Sequence, residues 1–465
     1  MQAGNAKTSA EVLKNVAINR MWTAGENSTY ANTYITHILR GEIIMDLDAV
    51  LKYGKEEVMI PIRGAKSIVT LATKPMPVIE DIEAELKKGL ESPIGSKPLK
   101  ELISADDEVT IVVSDYTRAW MHQGAVLTIL GHYLTEEMQV LFSHIEVVIA
   151  LGTHRKSTDA EKKLVAGDYL YEHCNVTDHD CDGPCVNLGT TSRGTVVEVN
   201  PLIVGRKTII VGGTVHHMMA GFGGGRKNIL PGVSSRRTIR QNHERALDPV
   251  KPQTYEKVGS GLMVENPIHE DMCEAAALAA PTFGINIVAD TKGNHSGFFC
   301  GDVTKAWEES CLFQKSFYEC PIEKEADIVI CSTGGYPKDL NLYQGCKGLI
   351  NGMRAVKKGG LLLWLCRCED GTGAPDYTSW LAPLKEGRLT EALRSDFTIG
   401  GYIFFLTIET LQKAECRIMS LIEKETTDTM GMTGTDNIKD LLAGVDFTGK
   451  DVCIMPHGSI VPMEK

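Results

Sequence analysis

No apolar run in the 465 residues approaches the roughly 20 that a membrane-spanning helix needs, and the first residues lack the apolar core of a secretion signal. These absences predict a cytoplasmic protein with no membrane partner. Positive charge is also scarce: 48 Lys and Arg stand against 60 Asp and Glu, a net charge of −12. Nucleic acid and anionic membrane surfaces are polyanions that such an average field repels, although a local basic pocket can still hold a small anion. Missing too are the Cys-x-x-Cys pairs of zinc sites. The 13 cysteines are odd in number and scattered, several inside apolar runs such as Ile328–Cys331, which is the pattern of buried, reduced thiols. Cys181/Cys185 and Cys366/Cys368 are kept as metal or redox candidates.

The chain has an ordinary globular composition, 43% hydrophobic and 23% charged, and is long for a single core, so two or three domains are expected. A small β region is expected at Val58–Ile62 and Ser67–Leu71. Short β-branched runs then recur at Val109–Val113, Ile145–Ala150, Thr208–Val211, Ile285–Val288, Ile328–Cys331 and Leu361–Trp364. Helical patterns lie at Val78–Leu90, Gly124–Glu136 and Thr304–Tyr318. Apolar strands alternating with helices indicate parallel sheets covered on both faces, hence an α/β class. The polar, turn-like stretch Ala289–Ser296 predicts a linker. The expected organisation is an N-terminal extension (1–46) followed by an N-terminal domain (47–290) and a C-terminal domain (291–465), both α/β with mainly parallel sheets, and an active-site cleft between them.

In such sheets ligands sit beyond the carboxyl ends of strands, and the chemically distinctive residues fall at those ends. Ser114-Asp115-Tyr116-Thr117-Arg118 follows the first run and Gly152-Thr153-His154-Arg155 the second. Asp178-His179-Asp180 precedes Asn187-Leu188-Gly189. The Thr208–Val211 run leads into His216-His217-Met218-Met219-Ala220-Gly221-Phe222-Gly223-Gly224-Gly225-Arg226-Lys227. Imidazole is the commonest transition-metal ligand, and glycines let backbone N–H groups approach an anion, so a metal and a phosphate could be held side by side. Each motif alone has an ordinary reading as a helix cap, a turn or a core histidine. No Gly-Lys-Ser/Thr closes the loop, so it is not a Walker A motif, and Phe222 with the histidines argues against a dinucleotide fingerprint.

Together, Ser-Asp-Tyr-Thr-Arg, Gly-Thr-His-Arg, the His-Met-Met-Ala-Gly-Phe-Gly-Gly-Gly-Arg-Lys loop with Leu-Pro-Gly, and Gly-Gly-Tyr-Pro-Lys-Asp-Leu-Asn-Leu-Tyr-Gln-Gly-Cys-Lys-Gly resemble the nickel-dependent lactate racemase family. The resemblance runs from near Asp46 almost to the C-terminus. It implies a racemase or epimerase of a 2-hydroxyacid, acting by reversible hydride transfer to a nickel-pincer nucleotide. The implied bases are His154 and His179, with Asp115 orienting His154. His217 corresponds to the nickel ligand, while His216 stands where the lactate enzyme has a serine. Ser114, Thr117, Arg118 and Gly189 would hold the nucleotide phosphate or its surroundings. Arg118 and Lys347 would meet the substrate carboxylate, with Tyr343 and Gln344 as hydrogen-bond donors and Tyr402 near the place of the lactate enzyme's tryptophan.

Two departures from the family pattern carry consequences. Asn187 stands where the family's lactate enzyme has a cofactor-tethering lysine, so a noncovalently held cofactor is expected. His179 aligns with the family base only through a short deletion before Gly189. The implied partners are a small 2-hydroxyacid and the proteins that make the cofactor. The competing readings are a non-catalytic homologue that binds the nucleotide or cofactor, and an NAD- or zinc-dependent enzyme, which the missing fingerprint and zinc spacing oppose.

Overall fold

The computed structural model describes residues 35–39, 42–373 and 375–464. Of the expected extension, residues 1–34, 40 and 41 lie outside the described residues. The chain forms two compact units, one made of Met76–Ser316 and the other of the described parts of Met1–Pro75 and Phe317–Lys465.

The unit Met76–Ser316 is built on six strands: β1 (Val109–Ser114), β2 (Ile145–Ala150), β3 (Asn175–Asp178), β4 (Lys207–Gly213), β5 (Phe283–Ala289) and β6 (His295–Gly301). Their spatial order is β6-β5-β4-β1-β2-β3. All neighbours are parallel except β5 and β6. The continuous apolar runs arise because both faces of this sheet are covered: every residue of Val109–Val113 is buried. Val109, Ile111 and Val113 face a cluster with Leu86 and Leu90 of helix Ile82–Glu91 and with Val126, Leu127 and Leu130 of helix Gln123–His132. Each such side chain, taken fully out of water, contributes about 1.5–3 kcal/mol. The first of these helices starts later than its apolar pattern suggests, because the Asp81 carboxylate caps it by accepting from the Ala84 N–H.

Ala289–Ser296, expected to be a linker, is instead the turn of the β5/β6 hairpin. The Asp290 carboxylate accepts from the N–H groups of Lys292 and Asn294 and closes the turn. The expected boundary after residue 290 therefore falls inside one sheet, and the units part near Pro75 and Phe317.

The other unit holds a six-stranded sheet in the order Thr433–Thr435, Glu415–Met419, Val356–Leu365, Ala326–Ser332, Asp451–Met455, Ser67–Thr70, with every neighbour parallel. Alternation assigns its two faces. Ile328, Ile330, Leu363 and Leu365 pack against Leu47, Leu51, Ile60 and Ile62 of an antiparallel sheet that pairs Glu42–Tyr53 with Glu56–Ala65. The opposite face, with Cys331, Leu362 and Trp364, receives helix Leu342–Ala355 at Gly345, Gly348 and Gly352, where side chains would obstruct the approach. Among the described residues no helix is long and apolar enough to cross a membrane.

Candidate active site

The parallel strands β1 to β4 all end at one edge of the sheet, and each hands the chain to one of the singled-out motifs. After β1, the Asp115 carboxylate caps the 3₁₀ turn Tyr116–Met121, accepting from the Thr117 N–H (3.2 Å) and hydroxyl (2.6 Å). Its other oxygen meets Nδ1 of His154, which follows β2. Asp115 is 4% exposed, whereas the His154 side chain is 51% exposed. Burial by itself would raise the Asp115 carboxyl, but the hydrogen bond and charge of His154, with Thr117 and Arg118, outweigh it and hold the group below the usual carboxylate range. A carboxylate can only accept, so Nδ1 carries the hydrogen and the lone pair of neutral His154 lies on Nε2, on the exposed side of the ring.

The glycine-rich loop follows β4. His216–His217 pairs antiparallel with Ala220–Phe222, so the two histidines point to opposite faces. His216 packs on Phe222 with ring centroids 4.5 Å apart. Nδ1 of His217 accepts from the N–H groups of Met219 and Ala220 (3.2 Å each), and its Nε2 lies 2.9 Å from Nζ of Lys227. Arg226, 3% exposed, tightens the loop by donating to the carbonyls of Ala220 (2.7 Å) and Phe222 (2.9 Å) while stacking on Trp307. The Lys227 amine is held well below its ordinary value, first by burial and then by the neighbouring Arg226 and Arg118. Arg118 in turn feels the Asp115 charge and donates to the Thr117 hydroxyl (3.2 Å), whose hydrogen goes to Asp115. Sequence reasoning quoted Lys227 within the motif but gave it no role; its place after three glycines and an arginine was the available signal.

The remaining candidates are placed less uniformly. His179 begins the loop after β3 but is 2% exposed, with Nε2 donating to the Ser234 carbonyl (2.9 Å) and Nδ1 accepting from the Asn200 amide (3.1 Å). Burial pushes its pKa below the usual histidine value, against the opposing pull of Ser234 and Asp180. A ring so engaged offers no lone pair to a substrate as it stands. Asn187 is exposed on the hairpin Val186–Thr190/Val196–Val199, its carbonyl accepting from the Gly189 N–H (2.8 Å). Ser114 lies beside Asn228, which ties β1 to β4 through the Val112 and Val211 carbonyls.

Tyr343, Gln344 and Lys347 belong to the other unit, in the first turns of helix Leu342–Ala355, where Lys347 donates to the Gln344 side chain (3.1 Å). Burial raises the Tyr343 hydroxyl to about 12, so it remains a donor at neutral pH. Tyr402, expected over the substrate, is instead fully buried in helix Ile399–Leu411 beside Phe397, because that helix is apolar almost all round and fills the core of its own unit.

Among the described residues no three His, Cys, Asp or Glu side chains converge as a metal cage. What the fold and site define is an α/β protein that sets a carboxylate-oriented imidazole and a glycine-rich loop carrying Arg226 and Lys227 at the same carboxyl edge of a parallel sheet.

Residues 53–254 match the lactate racemase N-terminal domain and residues 322–454 the lactate racemase C-terminal domain. The lactate racemase of Thermoanaerobacterium thermosaccharolyticum is 34% identical over 310 residues, 66% of this chain and 70% of that protein. That of Lactiplantibacillus plantarum is 32% identical over 305 residues, 65% and 70% respectively. The solved lactate racemase apoprotein from T. thermosaccharolyticum superposes with a TM-score of 0.77 at 27% identity, covering 90% of this chain and 100% of that one. A Thermotoga maritima protein shares the fold at a TM-score of 0.60 and 16% identity, covering 84% of this chain and 100% of that one. The chain belongs to the lactate racemase family and is an isomerase.

Proposed function

We propose that the protein racemises or epimerises a 2-hydroxyacid, using a nickel-pincer nucleotide bound beside His154 at the carboxyl edge of the β1–β4 sheet. The observation that carries this reading is the Asp115–His154 pair standing at the same carboxyl edge of the sheet as the His217–Lys227 loop. These residues fit such a group. His217 would offer its lone pair to the metal once Nδ1 leaves the Met219 and Ala220 N–H groups or the ring hydrogen on Nε2 passes to Lys227, and Arg118 supplies positive charge for a phosphate together with Ser114, Thr117 and the Gly189 turn. When bound, the nucleotide supplies the acceptor and donor of hydride at the substrate's C2.

His154 takes the hydroxyl proton on Nε2, and Asp115 stabilises the imidazolium that results. His179 serves the opposite face once its ring leaves Ser234 and Asn200. The cations and donors available to the substrate carboxylate are Arg118 in the unit that carries His154, and Lys347, Gln344 and the Tyr343 hydroxyl in the other unit. Asn187 has no amine, so the nucleotide is held without a covalent bond and must be delivered by cofactor-synthesis proteins. Coexpression with those proteins should give nickel-loaded chain that interconverts the enantiomers of a 2-hydroxyacid, with the nucleotide released on denaturation. His154→Ala should then lose about 10²–10⁴-fold in rate while keeping its nickel.

A second reading, a non-catalytic cofactor-binding homologue, is favoured by Asn187 and by the occupied nitrogens of His179. Nickel-loaded chain that racemises no 2-hydroxyacid would support it.

A further inference from the structure

At the carboxyl edge of the sheet containing Ala326–Ser332, two turns meet: Thr333–Gly335 after that strand, and His457–Ser459 after its parallel neighbour Asp451–Met455. Both abut helix Leu342–Ala355. A methyl group on Gly348 would lie 3.0 Å from the Thr333 hydroxyl, and Asn351 donates to the Gly458 carbonyl (2.8 Å). Lys347 directly precedes Gly348, the residue at which this helix meets both turns, and its amine reaches back to Gln344 (3.1 Å).

Around the glycine turn sit further basic groups. A methyl on Gly334 would be 3.1 Å from His457 Cβ and 3.2 Å from Lys338 Cδ, and one on Gly335 would be 3.0 Å from Lys52 Cβ. The positive φ of both glycines, 114° and 71°, lets the backbone pass between these side chains. Among the described residues neither Lys52 nor Lys338 has a carboxylate within ion-pair distance. The nearby Asp339 is buried and accepts from the N–H groups of Gly54 (2.7 Å) and Arg367 (3.3 Å). Two lysines are thus held beside a neutral imidazole with no carboxylate to compensate their charge. Loss of water and the Lys52 charge hold the Lys338 amine below its ordinary value, and burial with the Lys338 charge pushes His457 down to about 4.

We infer that Lys338, Lys52 and His457 form the subsite for a second anionic group of the substrate, next to the Gln344/Lys347 grip on the first carboxylate. The substrate class is then a 2-hydroxyacid carrying a further carboxylate or a phosphate ester. This inference rests on the proposed function for the role of Gln344 and Lys347. An uncompensated cationic rim gains a charge-assisted contact from a dianionic acid that lactate cannot offer.

Calorimetric titration of the full-length chain with L-lactate, L-malate and 3-phosphoglycerate tests it. At least one dianion should bind about tenfold more tightly than lactate, as a partly desolvated charged hydrogen bond provides. Malate as the favoured ligand assigns the subsite to a carboxylate, and phosphoglycerate assigns it to a phosphate. In Lys338→Met or Lys52→Met the preference over lactate should collapse towards unity, whereas Lys338→Arg should retain it. Equal affinity for all three acids, or a preference that survives both methionine variants, overturns the inference. Racemisation by nickel-loaded chain is assayed separately: its failure would count against the proposed function, while the binding preference judges the subsite.

Discussion

What an imidazole can do is set by the partner of each ring nitrogen, and four histidines of this chain show four outcomes. His154 gives one nitrogen to a buried carboxylate and keeps the other on an exposed face. His217 is oriented by two backbone donors, His216 turns to Phe222, and His179 is engaged on both sides. Adjacent residues on a strand point apart, so His216 and His217 cannot both serve one ion from the same face. His217→Ala should therefore abolish nickel retention by the coexpressed chain, and His216→Ala should keep it, as measured by metal analysis of the two purified variants. Loss of nickel in the His216 variant alone would reverse the assignment.

At the scale of the element, the glycine loop holds its shape through contacts that a side chain would break. Gly225 has φ +52°, and a methyl there would lie 2.6 Å from Cγ of Trp307. That indole donates to the Gly223 carbonyl (2.7 Å) and carries the Arg226 stack, so pushing it away loosens the segment behind His217. Gly225→Ala should cost roughly 1–3 kcal/mol of stability through overpacking and backbone strain, read from urea unfolding, and should weaken nickel retention as well. Gly194→Ala is the matched control. Its φ is also positive (84°), but nothing lies within 4 Å, so it carries the strain without the displaced indole.

For the whole molecule, buried neutral histidines set the acid limit. Burial, with help from nearby cations, pushes His243 and His269 down to about 3 and His457 to about 4. A histidine depressed in the folded state takes up its proton first in the unfolded chain. The stability it contributes is therefore present above pH 6.5 and lost as pH falls below that value. For His243, 2% exposed, the difference at pH 5 amounts to roughly 2 kcal/mol. The urea midpoint should accordingly fall between pH 7.5 and pH 5.0, and an unchanged midpoint would mean that these rings are solvated. Asp115, held low by His154, acts in the same direction further into the acid range.

The α/β class, the strands near Val109, Ile145 and Thr208, and the placing of Asp115, His154 and the glycine loop at strand ends were readable from sequence. Each follows from local periodicity and from the chain's need to turn after an apolar run. A polar turn has the same composition whether it joins two strands or two domains, so only the β5/β6 pairing revealed Ala289–Ser296 as a hairpin. Likewise Tyr402 in a core, His179 between Asn200 and Ser234, and Lys227 against His217 depend on which side chains the folded chain brings together. Burial and hydrogen-bond partners are properties of neighbours in space, distant along the chain, and those neighbours decide whether a histidine is a base, a ligand or a strut.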